Sequence, residues 1–144
     1  MTPHSILIVD SDTRAAQVTG ALISRSLPDA TLRVEPTPER GWVSFQQDHP
    51  DVLIIDPSMN SPAGVQLIRR IKGGQPAAWI IVLTSSPTPA LRRRMSDLGV
   101  DVYLEKSAPL EQLIAQLERI SSGPTLDSQV TDGYSRKCTG PPEG

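Results

Sequence analysis

Three uninterrupted apolar runs constrain this chain more than any other feature: Ile6-Leu7-Ile8-Val9, Val52-Leu53-Ile54-Ile55 and Trp79-Ile80-Ile81-Val82-Leu83. A strand with one face in water alternates apolar and polar residues, because successive side chains point to opposite faces. A strand that is apolar throughout is covered on both faces, as in a parallel sheet between two layers of helices. Val102-Tyr103-Leu104 is a shorter run of the same kind, while Thr31-Leu32-Arg33-Val34-Glu35 alternates, as suits an edge strand.

Segments of helical period separate these strands. Leu110, Leu113, Ile114, Leu117 and Ile120 form a clean stripe, and Leu91, Met95 and Leu98 repeat the spacing before Gly99, a suitable residue just past a helix end. Val65, Ile68 and Ile71 do the same before Gly73-Gly74. Ala15, Val18, Leu22 and Ser26 are read as the first helix, ended by Pro28, and Trp42, Val43 and Phe45 as anchors of the second. Strand and helix alternate five times. Parallel strands need crossover connections, so the expected fold is α/β, a (βα)5 three-layer sandwich.

At 144 residues the chain has room for one domain and a short tail. The domain is expected over 1–122. From Ser122-Gly123-Pro124 the apolar periodicity stops, and 123–144 reads as a linker or disordered tail. The only cysteine, Cys138, lies there and can form no internal disulfide, which fits a reducing cytoplasm. A net charge of −2 and an aromatic content of 3% offer neither a basic track nor a stacking platform for nucleic acid. No basic leader or long apolar stretch suggests secretion or a membrane partner, so a cytoplasmic protein is expected.

In an open α/β sheet, ligands bind beyond the carboxyl ends of the strands. Asp10 and Asp12 follow the first strand, Asp56 the third, Thr84 the fourth, and Lys106 comes just after the fifth. Converging carboxylates repel unless a cation joins them, and hard oxygen ligands select Mg²⁺. A carboxylate can also act as a nucleophile toward phosphorus, a reaction in which positioning and charge neutralisation supply most of the catalysis. Taken singly, each residue has a plainer explanation. Asp12 before Thr13-Arg14-Ala15 suits a helix N-cap, Asp56-Pro57 a turn, Thr84-Ser85-Ser86 a loop and Lys106 a solvated charge. Their joint order at successive strand ends carries the functional reading.

Over roughly residues 5 to 120 the chain resembles the receiver domain of bacterial response regulators. The resemblance rests on Ile6-Leu7-Ile8-Val9-Asp10, Asp51 through Met59 with Gly64, Ile80 through Ser85, and Gly99 through Lys106. It implies a flavodoxin-like parallel sheet in strand order 2-1-3-4-5. By the same resemblance Asp56 takes a phosphoryl group from a histidine kinase or phosphotransfer protein, and Thr84 and Lys106 hold it. Mg²⁺ would be held by Asp10, Asp56 and the Ser58 backbone carbonyl. Tyr103 would turn inward as Thr84 shifts, and the fourth helix, fifth strand and fifth helix would report the change to an output partner or form a homodimer face. Such a domain is not an enzyme beyond its own Mg²⁺-dependent phosphorylation and dephosphorylation.

The departures are specific. The family usually has a second acid directly after the first; here Ser11 stands in that place, and Asp12, one residue further on, should point toward the helix start. Losing a carboxylate is expected to weaken Mg²⁺ binding at least about tenfold. Asn60 stands where proline is usual and Ala63 where aspartate is common. Ser107 follows Lys106 where many receivers have a cis proline, and a trans bond is expected, since cis costs roughly 3 kcal/mol without proline. The run Lys106 through Glu111 looks like the nitrate-regulator subfamily, whose members often carry a helix-turn-helix output domain. This chain holds none, so it is read as a stand-alone receiver or a fragment. Arg92-Arg93-Arg94 suits either a docking surface or a solvated face. The alternative is a pseudo-receiver, an interaction module independent of phosphorylation, which Ser11 favours and Asp56, Thr84 and Lys106 oppose. A flavodoxin-like enzyme or nucleotide binder would need a glycine-rich turn where Ser11-Asp12-Thr13 stand.

Overall fold

A computed structural model describes residues 5–57, 62–74 and 78–121. The elements follow the expected order: β1 (Ser5–Val9), α1 (Thr13–Ser26), β2 (Thr31–Glu35), α2 (Pro38–Asp48), β3 (Val52–Ile55), α3 (Ala63–Gly74), β4 (Trp79–Thr84), α4 (Pro89–Asp97), β5 (Val102–Glu105) and α5 (Leu110–Ser121). All neighbouring strands pair in parallel, in the order β2-β1-β3-β4-β5. This is the flavodoxin-like sheet that the resemblance implied. The 123–144 segment, Cys138 and Ser58 lie outside the described residues.

The continuous apolar runs divide between two cores with the strand period of two. Leu7, Val9, Leu53, Ile55, Ile80 and Val82 face Phe45, Leu67, Ile68, Ile71, Leu91 and Met95 of α2, α3 and α4. Ile6, Ile8, Val52, Ile54 and Ile81 face Ala16, Ile23, Leu113 and Leu117 of α1 and α5. Trp79 is the exception within its run, exposed at the start of β4. Local signals set the helix ends. Asp12, Thr37 and Thr88 cap α1, α2 and α4 by accepting the backbone N–H three residues on. Gly99, at φ +84, follows α4 as expected.

Two helical faces differ from expectation. In α1 the buried residues are Ala16, Gly20 and Ile23, and Val18 is 61% exposed, so the inward stripe is turned by one residue. Close approach to the sheet selects small residues, and a Cβ on Gly20 would stand 3.7 Å from Ile8 Cδ1. In α2, Gly41, Ser44 and Phe45 face inward, while Val43 is exposed. Trp42 lies along the rim, stacked on Phe45 and under the Arg70 guanidinium.

Gly41 brings α2 close to the end of β1. A Cβ there would meet Val9 Cγ2 at 2.6 Å, and valine, branched at Cβ, has no flexible end to move aside. Overpacking of about 1–3 kcal/mol then outweighs the helix-propensity gain of about 1 kcal/mol. Gly41→Ala is therefore expected to lower stability by up to about 2 kcal/mol in urea unfolding, whereas Gly73→Ala, with open space around it, should not lower it.

Candidate phosphoryl-acceptor site

The parallel ladder runs one residue past three strands and thereby aims three side chains at one point. Asp10 N–H donates to the Glu35 carbonyl at 3.1 Å, Asp56 N–H to Val9 at 3.1 Å, and Lys106 N–H to Thr84 at 2.7 Å. Thr84 closes β4 and is 1% exposed; Asp10 is 6% exposed. Four of the residues singled out from sequence, Asp10, Asp56, Thr84 and Lys106, thus meet at the carboxyl edge of the sheet.

Their centre is the Lys106 ammonium, 2.6 Å from Asp10 Oδ2 and 2.9 Å from Asp56 Oδ2. The second oxygen of Asp10 accepts the Asp12 N–H at 2.9 Å. Asp12 itself caps α1, its Oδ1 accepting the Ala15 N–H, so it does not replace the missing second acid. Ser11 is exposed at the rim. Thr84 Oγ1 accepts the Ser86 N–H at 3.1 Å, which leaves its own proton free to be donated, and the hydroxyl is near enough to the Asp56 carboxylate to favour its ionised form.

Burial pushes the Asp56 carboxyl above its ordinary value, and nearby Asp10 adds to this; the Lys106 hydrogen bond and charge and the Thr84 hydroxyl oppose it. Burial alone would lower the Lys106 ammonium, but hydrogen bonds to Asp10 and Asp56 override it and hold Lys106 above its ordinary value. The site therefore keeps a firmly charged lysine beside a carboxylate raised by its surroundings.

The donor set fits a hard divalent cation of the Mg²⁺ kind, since Asp10 and Asp56 present carboxylate oxygens to a common point. It is a sparse set. Among the described residues no group of three or more acids, histidines or cysteines is placed to hold a metal.

Tyr103, on β5, lies beside this centre with its hydroxyl oxygen buried and without a hydrogen-bond partner among the described residues. The Arg92 guanidinium stands 5.3 Å from the centre of its ring. In sequence Arg92 is one of three consecutive arginines, and a cross-element stack of this kind leaves no spacing signal there. The Lys106-Ser107 bond is trans, there being no cis peptide among the described residues. On the other side of Lys106, an apolar groove of about 360 Å3 runs between α1 and α5, lined by Val18, Leu22, Leu83, Leu104 and Leu110 among others.

Known proteins place the chain in a class. The response regulator receiver domain family matches residues 6–118. The chain belongs to that family, whose members act in phosphorylation-based signal transduction. Among curated relatives it is 30% identical over 123 residues to the methanol utilization control regulatory protein MoxX of Paracoccus denitrificans, a match covering 84% of this chain and 55% of that protein. It is 33% identical over 117 residues to the response regulator MprA of Mycobacterium tuberculosis, covering 80% and 49%. The chain thus spans about half the length of these relatives. Among solved structures, the signal receiver domain of a DNA binding response regulator protein from Colwellia psychrerythraea superposes with a TM-score of 0.76 at 21% identity, covering 83% and 99%. The N-terminal domain of an uncharacterized protein from Wolinella succinogenes gives 0.73 at 28% identity, covering 83% and 94%.

Proposed function

We propose that the chain is a phosphorylation-controlled receiver in which Asp56 accepts a phosphoryl group from a histidine kinase or phosphotransfer protein. The observation that carries this is the convergence of the Lys106 ammonium and the Thr84 hydroxyl on the Asp56 carboxylate at the open edge of the sheet. An Asp56 oxygen forms the new P–O bond as the P–N bond to the donor imidazole breaks, and the imidazole leaves with the bonding pair. Lys106 neutralises phosphoryl oxygen charge, and Thr84 donates a hydrogen bond to the same group. Receiver domains generally bind Mg²⁺ at this place; here Asp10 and Asp56 would hold it, with the Ser58 carbonyl a further expected ligand. The cation would supply additional charge neutralisation.

The same intact trio counts against a phosphorylation-independent module. Catalysis is confined to the domain's own phosphorylation and dephosphorylation. Thr84 and Tyr103 act as the switch, and the surface of α4, β5 and α5 passes the change to an output partner or a second copy. No helix among the described residues is long and apolar enough to cross a membrane, and a cytoplasmic location goes with this reading. Beryllofluoride with Mg²⁺, followed by amide NMR, should shift Thr84, Tyr103 and Lys106 together; an unchanged spectrum would overturn the proposal.

The metal position gives a separate expectation. Ser11→Asp restores a carboxylate beside Asp10 and should tighten Mg²⁺ binding at least about tenfold in calorimetric titration. Equal affinities for the two proteins would mean that Ser11 is not what limits the cation.

A further inference from the structure

We propose that Arg92 is a positioning residue for Tyr103: its guanidinium roofs the ring from α4 and holds the hydroxyl in its buried place before any phosphoryl group arrives. The proposal rests on the reading of Tyr103 as a switch residue, and its own observations are independent of that reading. The Tyr103 oxygen is buried without a hydrogen bond of full geometry among the described residues, and the nearby Thr88 backbone is the one group there that acts on it as a donor. A phenol in that position would gain by swinging into water. What faces it from α4 is Arg92, at 5.3 Å from the ring centroid, within the range of a cation–π contact.

The ordering of α4 supports the same conclusion. Thr88 caps the helix and accepts the Leu91 N–H at 3.0 Å, which fixes the turn carrying Arg92. Leu91 and Met95, buried to either side of Arg92 in sequence, anchor the helix to the sheet. Arg92 itself is exposed, and none of the ion pairs among the described residues uses it. Its stem lies on the surface while its planar head covers an aromatic face. The charged groups that act on the phenol are Arg92, Glu105 and Asp56, and the Thr88 backbone also favours its ionised form.

The test uses the phenol as its own reporter. Tyr134 is the only other tyrosine, so a Tyr134→Phe background leaves one ultraviolet titration and, with 3-fluorotyrosine, one fluorine resonance. Burial raises the Tyr103 phenol, and the Arg92 charge pulls it part of the way back. If Arg92 only contributed charge, Arg92→Ala would move the titration further up. If Arg92 holds the ring in place, the variant lets the hydroxyl reach water, and the titration falls toward 10.0 while the fluorine signal moves to its solvent-exposed position. Arg92→Lys keeps the charge without the planar head and should show most of the same fall. A fall in both variants supports the proposal; a rise, or no change, in Arg92→Ala overturns it. Beryllofluoride added to the parent protein separates the two readings. A fluorine signal that ignores beryllofluoride but responds to Arg92→Ala would remove Tyr103 as a switch while leaving Arg92 as its clamp.

Discussion

Lys106→Met should cost about 2–3 kcal/mol of stability at neutral pH in the absence of divalent cations. The substitution keeps most of the aliphatic stem and removes the one positive charge shared by Asp10 and Asp56. Removing one member of a fully buried ion pair costs about 3–5 kcal/mol, because the partner is left charged and unpaired. Here the three side chains keep a rim of solvent, 20% for Lys106, 8% for Asp10 and 18% for Asp56, which lowers the expectation. Asp10 also keeps the Asp12 N–H and Asp56 keeps the Thr84 hydroxyl.

The pH dependence distinguishes lost charge from lost packing. Without Lys106, the main influences left on Asp56 are burial and Asp10, which raise it, against the Thr84 hydroxyl. A carboxyl with a raised folded-state pKa contributes stability below its unfolded value, here 3.8, and loses that contribution as pH rises through the folded value. The variant should therefore recover toward the parent in acid. The parent's Lys106 is also raised when folded, so its contribution is complete below 10.5 and is lost as pH climbs through the folded value above that. The gap between the two proteins should close at both extremes of pH in urea unfolding. A gap that is the same at every pH would assign the cost to packing instead.

Ile81→Ala should be at least as damaging, at about 2–5 kcal/mol. Ile81 is 0% exposed on β4, facing α1 and α5, with Ile54 and Val102 opposite it in register on the two neighbouring strands. Paired strands on both sides hold the backbone, so the space left by three missing carbons cannot close, and the upper half of the range is expected. Val18→Ala is the control. At 61% exposure it should change stability by less than about 0.5 kcal/mol, although helical periodicity had read Val18 as part of the inward stripe.

That contrast shows where sequence is a good guide. Strand identity was legible because double burial demands uninterrupted apolar runs, and the strand order came with the resemblance to receivers. The positions of Asp10, Asp56, Thr84 and Lys106 were legible for a topological reason: in a parallel sheet every strand delivers its next residue to the same edge. The inward phase of α1 was not, because close packing on the sheet chose Ala16 and Gly20 over larger apolar neighbours. The sharing of one ammonium between two acids, and the Arg92 stack on Tyr103, depend on rotamers and on elements distant in sequence. Neither leaves a periodic trace.

Ser11 is the departure with the clearest structural consequence. Asp12 does not compensate for the lost acid, since its carboxylate is occupied at the start of α1. Among the described residues Lys106 is the positive charge paired with both remaining carboxylates, and a divalent cation bound there would share Asp10 with it.

Chemical trapping of the acyl phosphate tests the assignment of Asp56 most directly. The chain is treated with acetyl phosphate and Mg²⁺, reduced with borohydride, which converts an aspartyl phosphate to homoserine, and mapped by peptide mass spectrometry. Homoserine in place of Asp56, absent from Asp56→Asn treated in the same way, is the expected result. No modification at saturating Mg²⁺, or modification that persists in Asp56→Asn, would contradict it.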